Sequence, residues 1–195
     1  LKRVFSMAKE PVILLLSFVL FFQSGLEGIC NNWIPTYLES EKGIDAQKAM
    51  LALSALIVGI STGRLLLGYL LRIVAKEIVL ITSVAIAAAG IVVIYLFPAV
   101  TPALAGSFML GLGFASTFPV VLGDIGERYK EISGTAFSFA LVIALTGNTL
   151  INLLIGYISL EYFHLTIIAG AGAIAILFIT AMQIAKRDKK IKSTN

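Results

Sequence analysis

Glu27 is an acidic residue inside an apolar run, and polar neighbours flank it at helical spacing. Gln23, Glu27 and Asn31 stand at i, i+4 and i+8, which puts them on one face of a helix. If that helix begins at Pro11, residue 27 lies about 24 Å along it at a rise of ~1.5 Å per residue. A carboxylate at such depth in a bilayer costs about 2.5–3.5 kcal/mol on insertion scales, so it turns toward a partner or a water-filled cavity. There a carboxyl group that titrates near neutral pH can carry a proton together with a solute. Asn32 and Trp33 follow directly, and Tyr37 comes a turn later. A second polar set, Ser138, Asn148 and Asn152, shares a face further along. Two such stripes facing each other would line an aqueous cleft whose Asn, Gln and Glu groups suit hydroxyl-rich ligands. The other reading of the same residues is interhelical hydrogen bonding, in which polar side chains hold membrane helices together.

The elements that must position these groups are membrane helices. Hydrophobic residues make up 58% of the 195 positions and charged residues only 13%, far from the composition of an average soluble domain. Apolar runs long enough to cross a bilayer predict spans over residues 11–38, 47–71, 77–97, 102–123, 132–157 and 164–185. Pro11 marks a helix start, and Pro98 and Pro102 mark a turn. Of the 15 Lys and Arg, all but Lys42 and Lys48 fall on the side of the two termini. The positive-inside rule then places both termini in the cytoplasm, as an even number of spans requires. The expected organisation is one six-helix membrane domain over 1–195, with a basic cytoplasmic tail at 186–195.

Several function classes are excluded. The basic residues sit at span ends, so the net charge of +4 implies a membrane surface and not a nucleic-acid partner. Cys30 is the one cysteine and His164 the one histidine; far apart, they form neither a metal site nor a nucleophile pair. No catalytic constellation, metal or cofactor is expected, and His164 reads as an interfacial histidine beside Tyr157, Tyr162 and Phe163. The first residue is Leu1 and no signal peptide is visible, which predicts a piece of a longer protein.

The chain echoes itself. Trp33-Ile34-Pro35 late in the first span matches Thr117-Phe118-Pro119 late in the fourth, and both spans carry interrupting glycines, Gly25 and Gly28 in one and Gly106, Gly111 and Gly113 in the other. Three spans followed by three spans insert with opposite topology, and Gly/Pro-interrupted spans at matching positions point to a binding site. Small residues at four-residue spacing, Gly59 and Gly63 in the second span and Ala103, Ser107, Gly111 and Ala115 in the fourth, predict close helix packing. The expected fold class is all-α, with six transmembrane helices as two inverted three-helix repeats.

The run Gly63-Arg64-Leu65-Leu66-Leu67-Gly68-Tyr69-Leu70-Leu71-Arg72 resembles the motif between the second and third helices of a half in the major facilitator superfamily, without its acidic residue near Leu71. Leu110 through Pro119 to Asp124, Arg128 and Ser133-Gly134-Thr135-Ala136 is similar to the tenth-to-eleventh helix segment of those transporters. Gly25-Leu26-Glu27-Gly28 followed by Asn31-Asn32-Trp33-Ile34-Pro35-Thr36-Tyr37 resembles the seventh helix of the fucose and glucose/galactose symporter type. The resemblance implies the C-terminal half of a secondary transporter in the cytoplasmic membrane, paired with an N-terminal six-helix half. It also implies a small polar solute such as a sugar, bound by Gln23, Glu27, Asn31, Asn32, Trp33, Tyr37, Asn148 and Asn152, with Glu27 coupling protons. Trp33 and Tyr37 would offer the sugar ring an apolar face. Arg64, Asp124 and Arg128 would form a cytoplasmic gate, for example through an Arg64–Asp124 pair, or would simply anchor the helices to the membrane surface. The competing class is a membrane scaffold or assembly subunit whose polar stripes bind another helix.

Overall fold

The computed structural model describes Met7 and residues 10–194, with side chains to Arg187. Lys2, Arg3 and Lys9, and the side chains of Lys189, Lys190 and Lys192 in the expected tail, lie outside the described residues. The helices are α1 Pro11–Lys42, α2 Ala46–Ile73, α3 Lys76–Leu96, α4 Val100–Phe114, α5 Thr117–Arg128, α6 Ser133–Tyr157 and α7 Phe163–Thr194. Because α4 and α5 run on as one interrupted rod, the described residues form six helices long and apolar enough to cross a membrane.

Local chemistry sets the ends of these helices. Pro11 occupies the first position of α1, where a backbone N–H would have no partner in any case. Gly43 ends α1 at φ 63°, a left-handed conformation that only glycine adopts without cost. The next amide, Ile44 N–H, turns back to the Leu38 carbonyl at 3.0 Å. Asp45 then caps α2 by accepting from Gln47 N–H at 3.1 Å. Pro102 lies in the first turn of α4 and not in the turn before it.

The fourth span is not the continuous helix expected over 102–123. It breaks at Ala115–Ser116. Pro119 has no N–H to give the Ala115 carbonyl, and its ring crowds that carbonyl; starting a new helix at Thr117 puts Pro119 in the first turn of α5, where the missing donor is harmless. Pro35, its counterpart in the sequence echo, lies within α1, which stays helical through it.

The packing repeats with a period of three spans. α1 packs chiefly on α6 and next on α7, while α4 packs chiefly on α2 and next on α3. Burial follows the same period: α1 and the α4–α5 rod are the most buried, α2 and α6 the least, and α3 and α7 lie between. Three spans reverse the chain direction, so the six helices form two inverted three-helix repeats. The small-residue stripes pack closely, and they do so against each other: a Cβ added to Gly59 would lie 3.1 Å from Gly111 Cα, so only hydrogens at both positions allow α2 and α4 to touch backbone to backbone. Leu65, Leu145 and Ile176 are among the large apolar side chains left exposed, as helices that stand in an apolar medium allow.

Candidate functional site

Polar side chains gather along one side of α1, in two adjoining openings. The first, of 530 Å³, is lined by Ser24, Glu27, Gly28 and Asn31 of α1, Arg64 of α2, Phe118, Pro119 and Leu122 of α5, and Asn148 of α6. The second, of 630 Å³, is lined by Asn32, Trp33 and Thr36 of α1 and by Asn148, Thr149, Asn152, Leu153, Gly156 and Tyr157 of α6. Asn148 belongs to both, so the two form one polar bay. Volumes of this size suit a small organic ligand.

Gly28 makes the junction possible. A Cβ there would lie 2.8 Å from Asn152 Nδ2 and would also collide with Asn148 Oδ1. In the space it leaves, the amides form a chain: Asn32 Nδ2 donates to Asn152 Oδ1 at 2.9 Å, and Asn152 Nδ2 donates to Asn148 Oδ1 at 2.7 Å. Asn31 Nδ2 bonds its own helix at the Glu27 carbonyl, 2.9 Å away. Pro35 has no N–H to give the Asn31 carbonyl, so that acceptor has no partner one turn on.

Glu27 and Arg64 face each other across the first opening. Arg64 Nη2 lies 3.5 Å from Glu27 Oε1, with the arginine side chain 50% exposed and the glutamate 20%. The expected Arg64–Asp124 pair does not form. Arg64 lies well inside α2, roughly 13 Å before its end at Ile73 at ~1.5 Å per residue, and so within the span expected over 47–71.

Asp124 instead centres a cluster on the side of the termini. It is 2% exposed, accepts from Arg128 Nε at 2.6 Å and from Lys76 Nζ, and Lys76 also reaches Glu127 at 3.4 Å. A buried carboxylate needs such partners. Beside it, the Tyr129 hydroxyl donates to Glu10 Oε2 at 2.6 Å, which ties the start of α1 to the end of α5. Burial, then the Glu10 hydrogen bond and charge, push the Tyr129 phenol well above the usual tyrosine range.

Two expected ligand residues lie elsewhere. Gln23 is buried and lines neither opening; its Nε2 donates to the Phe114 carbonyl at 3.0 Å. That carbonyl ends α4 and loses its helical donor at the break, so Gln23 seals the break while lying 3.5 Å from Glu27 Oε2. Tyr37 is 1% exposed, and its ring packs on Phe163 at 4.9 Å between centroids, inside the α1–α7 contact. Ser138 is exposed and lies outside both openings. The bay also holds residues that the sequence did not assign to the solute site: Ser24, Thr36, Phe118, Leu122, Thr149 and Tyr157. Thr149 stands three residues from Asn152 and was legible by spacing; Tyr157, five residues on, and Phe118 and Leu122, beyond the helix break, were not. On the opposite side, Lys42 Nζ sits 4.6 Å over the Tyr95 ring, which stacks on His164 at 3.9 Å.

Comparison with known proteins agrees with this architecture. Among curated proteins no sequence matches the chain. A crystal structure of a mutant peptide transporter POT in complex with alafosfalin is similar in fold, with a TM-score of 0.73 at 18% identity over 89% of this chain. The chain spans 38% of that transporter's length. The family model of the Major Facilitator Superfamily matches residues 11–194, nearly every residue that builds the two repeats and the bay. The chain belongs to the Major Facilitator Superfamily.

Proposed function

We propose that this chain is one half of a secondary active transporter that moves a small polar solute, a sugar or sugar-like compound, by alternating access. The observation that carries the reading is the bay itself: a glutamate, an arginine and four asparagines open on one side of an otherwise apolar bundle. Side chains serving only to join helices within this bundle would close the gap as they bonded; here the bonded pairs still border open space. The amide chain offers donors and acceptors to hydroxyl groups, and Trp33 offers an apolar edge. Glu27 is the proton-coupling group of this reading. An N-terminal six-helix half supplies the opposite wall, and the two halves rock about the bound solute.

The excess of Lys and Arg on the side of the termini supports a cytoplasmic location for both. On that side the Asp124, Arg128 and Lys76 cluster is the gate of this reading. Arg64 leaves the gate and joins the solute wall.

The test is uptake of labelled hexoses by the complete transporter in proteoliposomes, with and without an inward proton gradient. Accumulation that needs the gradient supports a proton–sugar symporter. No hexose uptake removes neutral sugars from the assignment and leaves sugar-like solutes that carry charge. Gradient-driven accumulation retained in Glu27→Gln removes Glu27 from coupling. The isolated chain, with one wall only, is expected to show no saturable uptake; robust uptake by it would mean that two copies make the pathway.

A further inference from the structure

The bay carries charge as well as amides, and the charge narrows the solute. Arg64 is the one basic residue lining either opening among the described residues. Its acidic neighbour there is Glu27, held at 3.5 Å, and its side chain is half exposed. A guanidinium has five N–H donors in a planar fork that matches a carboxylate through two parallel bonds. The Glu27 contact uses one nitrogen at a long distance, so the fork remains open to a second anion. A carboxylate takes two parallel bonds and a charge from that fork, which a neutral hydroxyl cannot match.

We propose that the solute is a hydroxylated monocarboxylate, a sugar acid, whose carboxylate takes Arg64 from Glu27 while its hydroxyls bond Asn31, Asn148 and Asn152. The proposal rests on the transporter reading above and names its solute class. The groups around Glu27 determine its charge once the solute is bound. From α2 it faces Arg64; from α5 it faces Phe118 and Leu122, and from α6 Asn148, and of these only Arg64 carries charge. On its own helix lie Gln23 and the buried Cys30. Once Arg64 turns to the solute, no other cation lining the opening stands by Glu27, and a carboxylate left without a counter-ion at this depth takes a proton. The empty site holds Glu27 negative and Arg64 positive. The loaded site holds solute negative, Arg64 positive and Glu27 neutral. Both sum to zero, so one anion and one proton cross together and no net charge moves.

The experiment uses the complete transporter in proteoliposomes with labelled gluconate, and labelled glucose as its neutral counterpart. Gluconate is expected to accumulate under an inward proton gradient, at a rate unchanged when a potassium gradient with valinomycin sets the membrane potential; glucose is expected to stay outside. Arg64→Gln is expected to raise the half-saturation concentration for gluconate about tenfold or more, the scale of a lost charge-assisted bond. Arg64→Lys, which keeps the charge and loses the fork, is expected to fall between, and it serves if Arg64→Gln does not fold. Glu27→Gln is expected to lose proton-driven accumulation of gluconate.

Glucose uptake without gluconate uptake overturns the carboxylate assignment and leaves the transporter reading standing. An unchanged half-saturation in Arg64→Gln, or a gluconate rate that varies with the potential, also overturns the proposal. Failure of monodisperse, folded protein to take up either probe overturns it too. The transporter reading itself falls only if amino acids, peptides and nucleosides also stay outside.

Discussion

A methyl group added at Gly111 tests the packing on which the bay depends. A Cβ there would lie 2.8 Å from Ile60 N and 3.0 Å from Gly59 Cα, and closer still to the Leu56 carbonyl oxygen. All three atoms are backbone, so no side chain can rotate away, and α2 must move off α4. Comfortable separations are about 3.5–4.0 Å, so the shift needed is roughly 1 Å along a contact that many residues share. Overpacking of this kind costs about 1–3 kcal/mol, and rigid backbone neighbours put Gly111→Ala in the upper part of that range. Alanine returns about 0.5–1 kcal/mol through its better helix propensity, leaving a net loss of about 1–2 kcal/mol. At ~2–4 °C per kcal/mol for a chain of this size, Tm falls by about 2–8 °C. Gly172 is the matched control: it is also helical, but a Cβ there meets nothing within 4 Å, so Gly172→Ala keeps only the propensity gain and raises Tm by about 1–4 °C. The protein carries its own probe, because Cys30 is its single cysteine and is buried at 0% exposure. A maleimide dye that fluoresces on thiol addition therefore reads unfolding in detergent. A Gly111→Ala variant that melts at or above the unmodified protein would refute the backbone contact between α2 and α4.

Three other contacts make similar predictions. Gln23→Leu strands the Phe114 carbonyl at the break and is expected to cost about 1–3 kcal/mol, the penalty for an unpaired buried group, read as a lower Tm in the same dye assay. Asp124→Asn leaves Lys76 and Arg128 without their shared carboxylate; both are partly exposed and regain water, so the expected loss is about 1–3 kcal/mol, below that of a fully buried pair, and it should be larger than for Glu127→Gln. Tyr129→Phe should remove a component that ionises above the ordinary tyrosine range from the alkaline tyrosinate titration. A phenol held neutral in the fold contributes stability fully below its unfolded value, and that contribution is lost as pH rises past it. Wild type should therefore lose stability at high pH more steeply than Tyr129→Phe.

Much of the fold was legible in the residues. Apolar run length announced the spans, since a helix must carry enough apolar residues to cross hydrocarbon. The polar set Glu27, Asn31, Asn32, Asn148 and Asn152 was legible because polar groups are rare in such runs and repeat at helical spacing. Glycine spacing announced close packing on the second and fourth spans, since only small residues permit it, while the pairing of those two spans came from the structure.

What required the tertiary structure is which polar group meets which. Gln23 and Glu27 share a stripe, yet one turn of helix separates a buried seal on the Phe114 carbonyl from a group lining the bay. Tyr37 is expected to offer the solute an apolar face together with Trp33, but one face of α1 looks to α7 and another to the bay. Arg64 and Asp124 both read as gate residues, whereas α2 carries Arg64 inward to Glu27 and the start of α3 delivers Lys76 to Asp124. Spacing along a chain determines the face of a helix a residue occupies; the neighbour across that face is decided by how the two repeats pack, and that depends on contacts summed over every helix at once.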